Sequence, residues 1–379
     1  MSKGALCLEN TKCQKNKVVY ITKHYINSKK MAGSHFLANA LKNLGYNVIF
    51  ITAVFSLIKL YSDWGQKFEK GFIRNIFAKR TYGGIESIIN TSLLHPINIG
   101  NKIIERFTSH FFFLNKKSIL AIKAADIIVF ESTPALLFFE KVKRINPDAK
   151  IIYRMADDLE KIKMADTIIE CERKNLKKFN LVSVPTKKMH EKFLPLTPNN
   201  LYLQYHGIDK NLYDRENENP YNNDKINHVF AGNAYLDNTF LDIASSLFPE
   251  HMFHIIGPFQ AKTKKSNVVY YGTMKFEDTI PFIKFADIGL QIMTNNNNAA
   301  TTFADSLKMI QYTYCKMPII APCSIPAMHR KNVFFYEYGD KTSIKKCILS
   351  CLAFDRFSFY EPVNSWDNLA KEMVDIVSD

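Results

Sequence analysis

Short apolar runs recur through the first half of the chain: VVYIT at 18–22, NVIFIT at 47–52, DIIVF at 126–130, KIIYR at 150–154 and LVSVPT at 181–186. Between them, apolar positions recur with helical spacing. Runs this short without alternation predict strands buried on both faces, and the helical stretches supply the crossovers that parallel strands require. The rhythm stops at DRENENPYNNDKIN, 214–227, and resumes with HVFAG, MFHIIG, VVYYG, IGLQIM and PIIAP. The polar interruption reads as a linker. The pattern therefore predicts an α/β protein of two Rossmann-like domains, 1–210 and 225–355. A tail at 356–379 follows, and its amphipathic segment Trp366 to Val377 is expected to cross back onto the first domain.

In open parallel sheets ligands bind beyond the carboxyl ends of the strands, and two such domains leave a cleft between them. Strand exits are therefore the places to look for chemistry. One exit, IIYRMADDLEKIK, runs from an apolar strand through Arg154 into the adjacent carboxylates Asp157 and Asp158. An Asp here can cap a following helix, and a carboxylate facing a cleft can also act as a base. In the second domain three strands end in glycine, at AGNAY, IIGPF and YGTMK, so that backbone N–H groups can approach a phosphate closely. No G-x-G-x-x-G accompanies them, which points to a nucleotide other than a dinucleotide.

The string FADSLKMIQYTYCKMPIIAP predicts a helix starting near Asp305 or Ser306, with Lys308, Gln311 and Tyr312 on one face. A lysine in the first turn of a helix suits a diphosphate, and equally a solvated amphipathic face. Retaining nucleotide-sugar transferases of the commonest two-domain type place two Glu eight positions apart before this turn; here those positions are Phe303 and Gln311. Neither is a carboxylate, which argues against that mechanism.

Composition narrows the classes. The 379 residues are 47% hydrophobic and 23% charged, which describes a soluble globular protein. No apolar run reaches the roughly 18 residues of a membrane span, and the start lacks the apolar core of a signal peptide, so a cytoplasmic location is expected. The seven cysteines form no C-x-x-C pair. They predict neither zinc nor a disulfide framework, and Cys315, Cys323, Cys347 and Cys351 read as small core residues. No D-x-D motif is present and no metal is predicted. A net charge of +14 favours acidic partners. The stretches 55–80 and 101–117 interleave aromatic and aliphatic residues with Lys and Arg, as a helix lying on an anionic membrane does, or as an amphipathic helix packed on a sheet does. No RNA-binding signature is present, and nucleic acid is not expected.

Several strings together carry a resemblance: VKRINPDAKIIYRMADDL, QYHGIDKNL, FHIIGP, VVYYGTMK and ADSLKMIQY, with SHF at 34–36 and VFES at 129–132. In order and with few gaps from about Lys17 to beyond Pro318, they resemble the xanthan-type glucuronosyltransferases of glycosyltransferase family 70. These are GT-B enzymes that add glucuronate, with inversion, to a lipid-linked oligosaccharide. The resemblance implies that Asp157 is the catalytic base and that Asp158 is left to cap the helix. It assigns donor contacts to Lys308, Gln311 and Met274, in a donor site that also takes in Thr273, Gly232, Asn233, Gly257 and Met293. Ser34, His35, Glu131 and Arg154 fall on the acceptor side of the cleft. Thr273 and Met293 depart from the family pattern, which has Glu and Tyr there. The implied protein takes a UDP-sugar donor, uses no further cofactor, and works on the inner face of the cell membrane. The competing readings are a nucleotide-sugar epimerase of the same architecture and a basic binding protein without catalysis.

Overall fold

The computed structural model describes residues 16–28, 31–56, 71–94, 101–233, 235–294, 306–327 and 329–378. Phe303, Asp305 and residues 57–70 of the first basic stretch lie outside them. The first sheet is built from β1 (Lys17–Thr22), β2 (Asn47–Ser56), β3 (Arg80–Tyr82), β4 (Ile85–Ser92), β5 (Ile127–Glu131), β6 (Lys150–Arg154), β7 (Leu181–Val184) and β8 (Leu201–Leu203). The second comprises β9 (Asn227–Ala231), β10 (Met252–Ile256), β11 (Val268–Gly272), β12 (Ile288–Leu290), β13 (Ile319–Pro322) and β14 (Val333–Tyr336). Helices used below are α1 (Gly33–Asn43), α2 (Lys102–His110), α3 (Asp166–Asn175), α4 (Leu307–Tyr314) and α5 (Trp366–Ser378).

The strand order is β3-β4-β2-β1-β5-β6-β7-β8 in one sheet and β11-β10-β9-β12-β13-β14 in the other. Apart from the antiparallel β3–β4 hairpin, the paired strands are parallel. Helices cover both faces. Val19 and Ile21 of β1 enter one core while Val18 and Tyr20 enter the other, the alternation that a strand imposes on its neighbours. Val229 and Phe230 of β9 divide in the same way between the two cores of the second sheet. In each sheet the order reverses at the first strand, between β1 and β5 and between β9 and β12. Those are the points where a crevice opens.

Two chain segments join the units, and they run side by side. Ile208 N donates to Asn364 O at 2.9 Å, and Trp366 N to Ile208 O at 3.3 Å. A Cβ on Gly207 would stand 2.4 Å from Trp366 N, so the crossing closes only around glycine. Beyond it α5 lies on α1, with the Trp366 and Phe36 rings stacked at 5.6 Å. The cysteine expectation needs one correction: Cys347 and Cys351 are buried, but Cys323 is exposed and its thiol donates to Glu337 Oε2 at 3.0 Å. Among the described residues no helix is long and apolar enough to cross a membrane.

Candidate active site

On the second sheet β11, β10 and β9 lie next to one another, and the turn after each brings a glycine to the same edge. Gly257 has φ +147°, and a Cβ there would fall 1.9 Å from Gly232 O. The two turns touch backbone to backbone, which leaves Gly257 no alternative residue. Opposite them α4 starts at Leu307, capped by Ser306 Oγ, which accepts from Met309 N at 3.4 Å. Lys308 and Gln311 face the glycine turns, while Tyr312 turns beneath and donates to Val229 O at 3.2 Å. One cavity results, lined by Gly232, Asn233, Gly257, Thr273, Met274, Lys308 and Gln311, and completed by Met31 and Phe36 from the first unit.

Lys308 is the one titratable side chain among those lining residues. The residue is half-buried; its ammonium lies 3.8 Å from the centroid of the Phe230 ring, and burial pushes it down to about 7. The aromatic face attracts the cation but does not replace its lost water. Met293 is elsewhere. It is buried in the core with its backbone bridged to Leu236, and its sulfur accepts from Gln291 Nε2 at 3.3 Å.

On the first sheet, Glu131 and Arg154 are paired in register at the exits of β5 and β6. Both are sequestered, 4% and 2% exposed, and so lie under the cleft floor rather than on it. Thr22 Oγ1 donates to Glu131 Oε2. The Arg154 guanidinium donates to Ser183 Oγ at 2.7 Å, Gln204 O at 2.8 Å and His206 Nδ1 at 3.2 Å. Asp157, by contrast, is exposed, and its backbone N–H donates to Ser132 Oγ at 2.9 Å. Surrounding protein raises the Asp157 carboxyl, with Lys23 pulling it back. Burial lifts Glu131 to about 7, and the charge of Asp157 adds to that rise.

Ser34 and His35 are also buried. His35 Nδ1 accepts from Ala32 N at 3.0 Å and its Nε2 donates to Tyr25 O at 2.8 Å, so the ring fastens the start of α1 and has no free nitrogen for a substrate. Asp158 is not a helix cap. The next helix, α3, begins at Asp166 with Ala165 as its cap residue, and the buried Asp158 carboxylate instead receives both the Glu160 N–H at 3.2 Å and Lys192 Nζ at 2.8 Å. Sequence reading missed Thr22, Phe36, Ser132 and Phe230, although SHF and VFES each contained one of them.

Residues 20–185 match the family model described as glucuronosyltransferase GumK, N-terminal domain. The UDP-glucuronate:glycolipid 2-beta-glucuronosyltransferase of Xanthomonas campestris pv. campestris is 24% identical over 365 residues, covering 94% of this chain and 88% of that protein. Among solved structures, HepE of Anabaena in complex with UDP-glucose superposes with a TM-score of 0.63 at 13% identity, over 96% of this chain and 99% of that one. Sucrose-phosphate synthase of Thermosynechococcus elongatus does so with a TM-score of 0.58 at 11% identity, over 96% and 95%. The structural likenesses establish the two-unit GT-B architecture, and the sequence matches make the chain a glycosyltransferase similar to GumK.

Proposed function

We propose that the protein moves glucuronate from UDP-glucuronate to a glycolipid, a lipid-linked oligosaccharide, with inversion at the anomeric carbon and Asp157 as the base. The unit around the first sheet, 1–210, takes the acceptor, and 225–355 takes the donor. The diphosphate lies against the glycine turns and Lys308, with Gln311 and Met274 beside the nucleotide. The acceptor hydroxyl attacks from the face opposite the leaving group, its proton passes to Asp157, and the bond from the anomeric carbon to the diphosphate oxygen breaks. UDP departs with the bonding electron pair, against the positive charge of Lys308.

The observation that carries this reading is the division of labour between the sheets. An exposed carboxylate stands at a strand exit of one, and a cavity whose titratable lining group is a cation belongs to the other. Thr273 adds a hydroxyl where the family pattern has a carboxylate. A uronate therefore meets no like charge from this residue, and a neutral hexose could be hydrogen-bonded there.

The membrane part of the reading rests on α2. Ile103 and Phe107 are 79% and 60% exposed, while Glu105 on the opposite face is 2% exposed. An apolar face turned outward beside exposed Arg106 suits the interface of an anionic bilayer at the inner face of the cell membrane. The test is a panel of UDP-glucuronate, UDP-glucose and GDP-mannose with a glycolipid extract. Glucuronate should appear in the lipid fraction; isomerised free donor in its place would establish the epimerase, and no turnover with any donor would defeat the enzyme reading.

A further inference from the structure

Beneath Asp157 the exits of β1, β5 and β6 enclose charged groups that neither substrate can reach. Glu131 is held by the Thr22 hydroxyl and lies in register with Arg154, yet the guanidinium gives its hydrogen bonds to Ser183, Gln204 and His206. The guanidinium attracts the carboxylate, but no hydrogen bond joins them, and the attraction does not offset the burial that raises Glu131. The turn after β5 ties this carboxyl to the cleft: Ser132, the next residue, holds the backbone of Asp157. Around Glu131 stand Tyr20 and Lys23 from β1 and its exit, and Arg154 and Asp157 from β6 and its exit.

We infer that Glu131 is a positioning residue for proton transfer: a second carboxylate that, once charged, makes Asp157 a stronger base toward the acceptor hydroxyl. The inference rests on Asp157 being the base. Asp157 ionises first, and its charge then acts on Glu131. Glu131 follows at about 7, raised first by burial, with the Thr22 hydrogen bond, Lys23 and Arg154 opposing and the charge of Asp157 adding. Repulsion between two carboxylates acts on both, so the state in which both are charged is the one in which Asp157 binds a proton most strongly. A stronger base takes the hydroxyl proton further along in the transition state. Glu131 exchanges no proton with the substrate and supplies charge alone.

The test is the pH profile of kcat. The natural protein should show two rises, one as Asp157 ionises and one near 7 as Glu131 does. Glu131→Gln should remove the second rise, lowering kcat about threefold to tenfold on the alkaline side, while leaving the first rise and the KM for donor in place. Thr22→Val removes the hydrogen bond that favours the charged form and should move the second rise to higher pH. An E131Q profile identical to that of the natural protein, or lowered by one factor at every pH, overturns the inference. If E131Q does not fold, an unshifted second rise in T22V overturns it. Asp157→Asn separates the two levels: transfer retained in that variant defeats the base reading itself, whereas transfer lost there with an unchanged E131Q profile defeats this inference alone.

Discussion

Asp157 and Asp158 leave β6 in opposite directions, one exposed beside Ser132, the other buried against Lys192. Chemistry and stability should separate accordingly. Asp157→Asn is expected to lower turnover by about 10² to 10⁴ with UDP binding intact, as loss of a general base does. Asp158→Asn should keep turnover and cost roughly 1–2 kcal/mol in denaturant unfolding, less than a fully buried pair because Lys192 is partly solvated. Reversed outcomes would exchange the roles. Lys308 gives a pH dependence with a definite sign. In the free protein it is charged below about 7. A bound diphosphate favours the charged form, so binding takes up a proton between there and the ordinary lysine range, and affinity falls as pH rises through that window. Lys308→Met should weaken UDP-glucose binding about tenfold to a hundredfold at pH 6.5 and flatten the pH dependence. Calorimetry in buffers of different ionisation heat reads both effects, and a pH dependence that survives the substitution would assign it to another group.

Helix α2 is inside out for a packed helix, with Glu105 and Thr108 covered and Ile103 and Phe107 open. If that face lies in a bilayer, Ile103→Asp with Phe107→Asp should release the protein from anionic vesicles. Transfer to a water-soluble acceptor analogue should be unchanged. Co-sedimentation unaffected by the pair of charges would leave α2 as an exposed helix with no lipid role. The strands that sequence predicted are the ones carried by apolar runs. β4, IESIINTS, carries no apolar run because five of its eight residues are polar, and the structure shows where that polarity goes: Ser87 donates to Asn75 Oδ1 at 2.6 Å and Asn90 to Phe113 O at 2.9 Å. Tertiary partners of that kind lie outside any local pattern. The site divides on the same line. The positions of Asp157, Lys308 and the glycine turns were legible as candidates because each sits at a strand or helix end with its own local signature. Thr22, Ser132 and Phe230 were not, since their roles arise from β1 lying beside β5, β5 beside β6, and β9 beneath α4, and register between strands is invisible in one sequence.

At the scale of the whole molecule, buried ionisable groups divide unevenly between the two units. In the first, His24 and His206 are lowered to about 3 by burial, while Glu131 and Glu172 are raised to about 7. A buried neutral histidine loses stability as pH falls below its unfolded value, because the unfolded chain binds the proton first. A carboxyl with a raised pKa gains stability in the same window. The two kinds oppose each other. In the second unit the balance is one-sided: His228 shares a hydrogen bond with His251 at 2.9 Å, and His254 accepts from Tyr271 OH and donates to Asn227 Oδ1, both at 2.9 Å. Burial lowers all three, His254 to about 4, and no raised carboxyl offsets them among the described residues of that unit. His254 then costs on the order of 1 kcal/mol per pH unit between about 6.5 and 4, and His228 and His251 act in the same direction. Acid should therefore loosen the second unit before the first. Hydrogen exchange compared at pH 7 and pH 5 should show amides of β9 and β10 losing protection while β1, β5 and β6 keep theirs, with UDP-sugar binding lost in parallel. Earlier loss in β1 and β5, or uniform loss across both sheets, would mean that the histidine cluster does not govern acid stability.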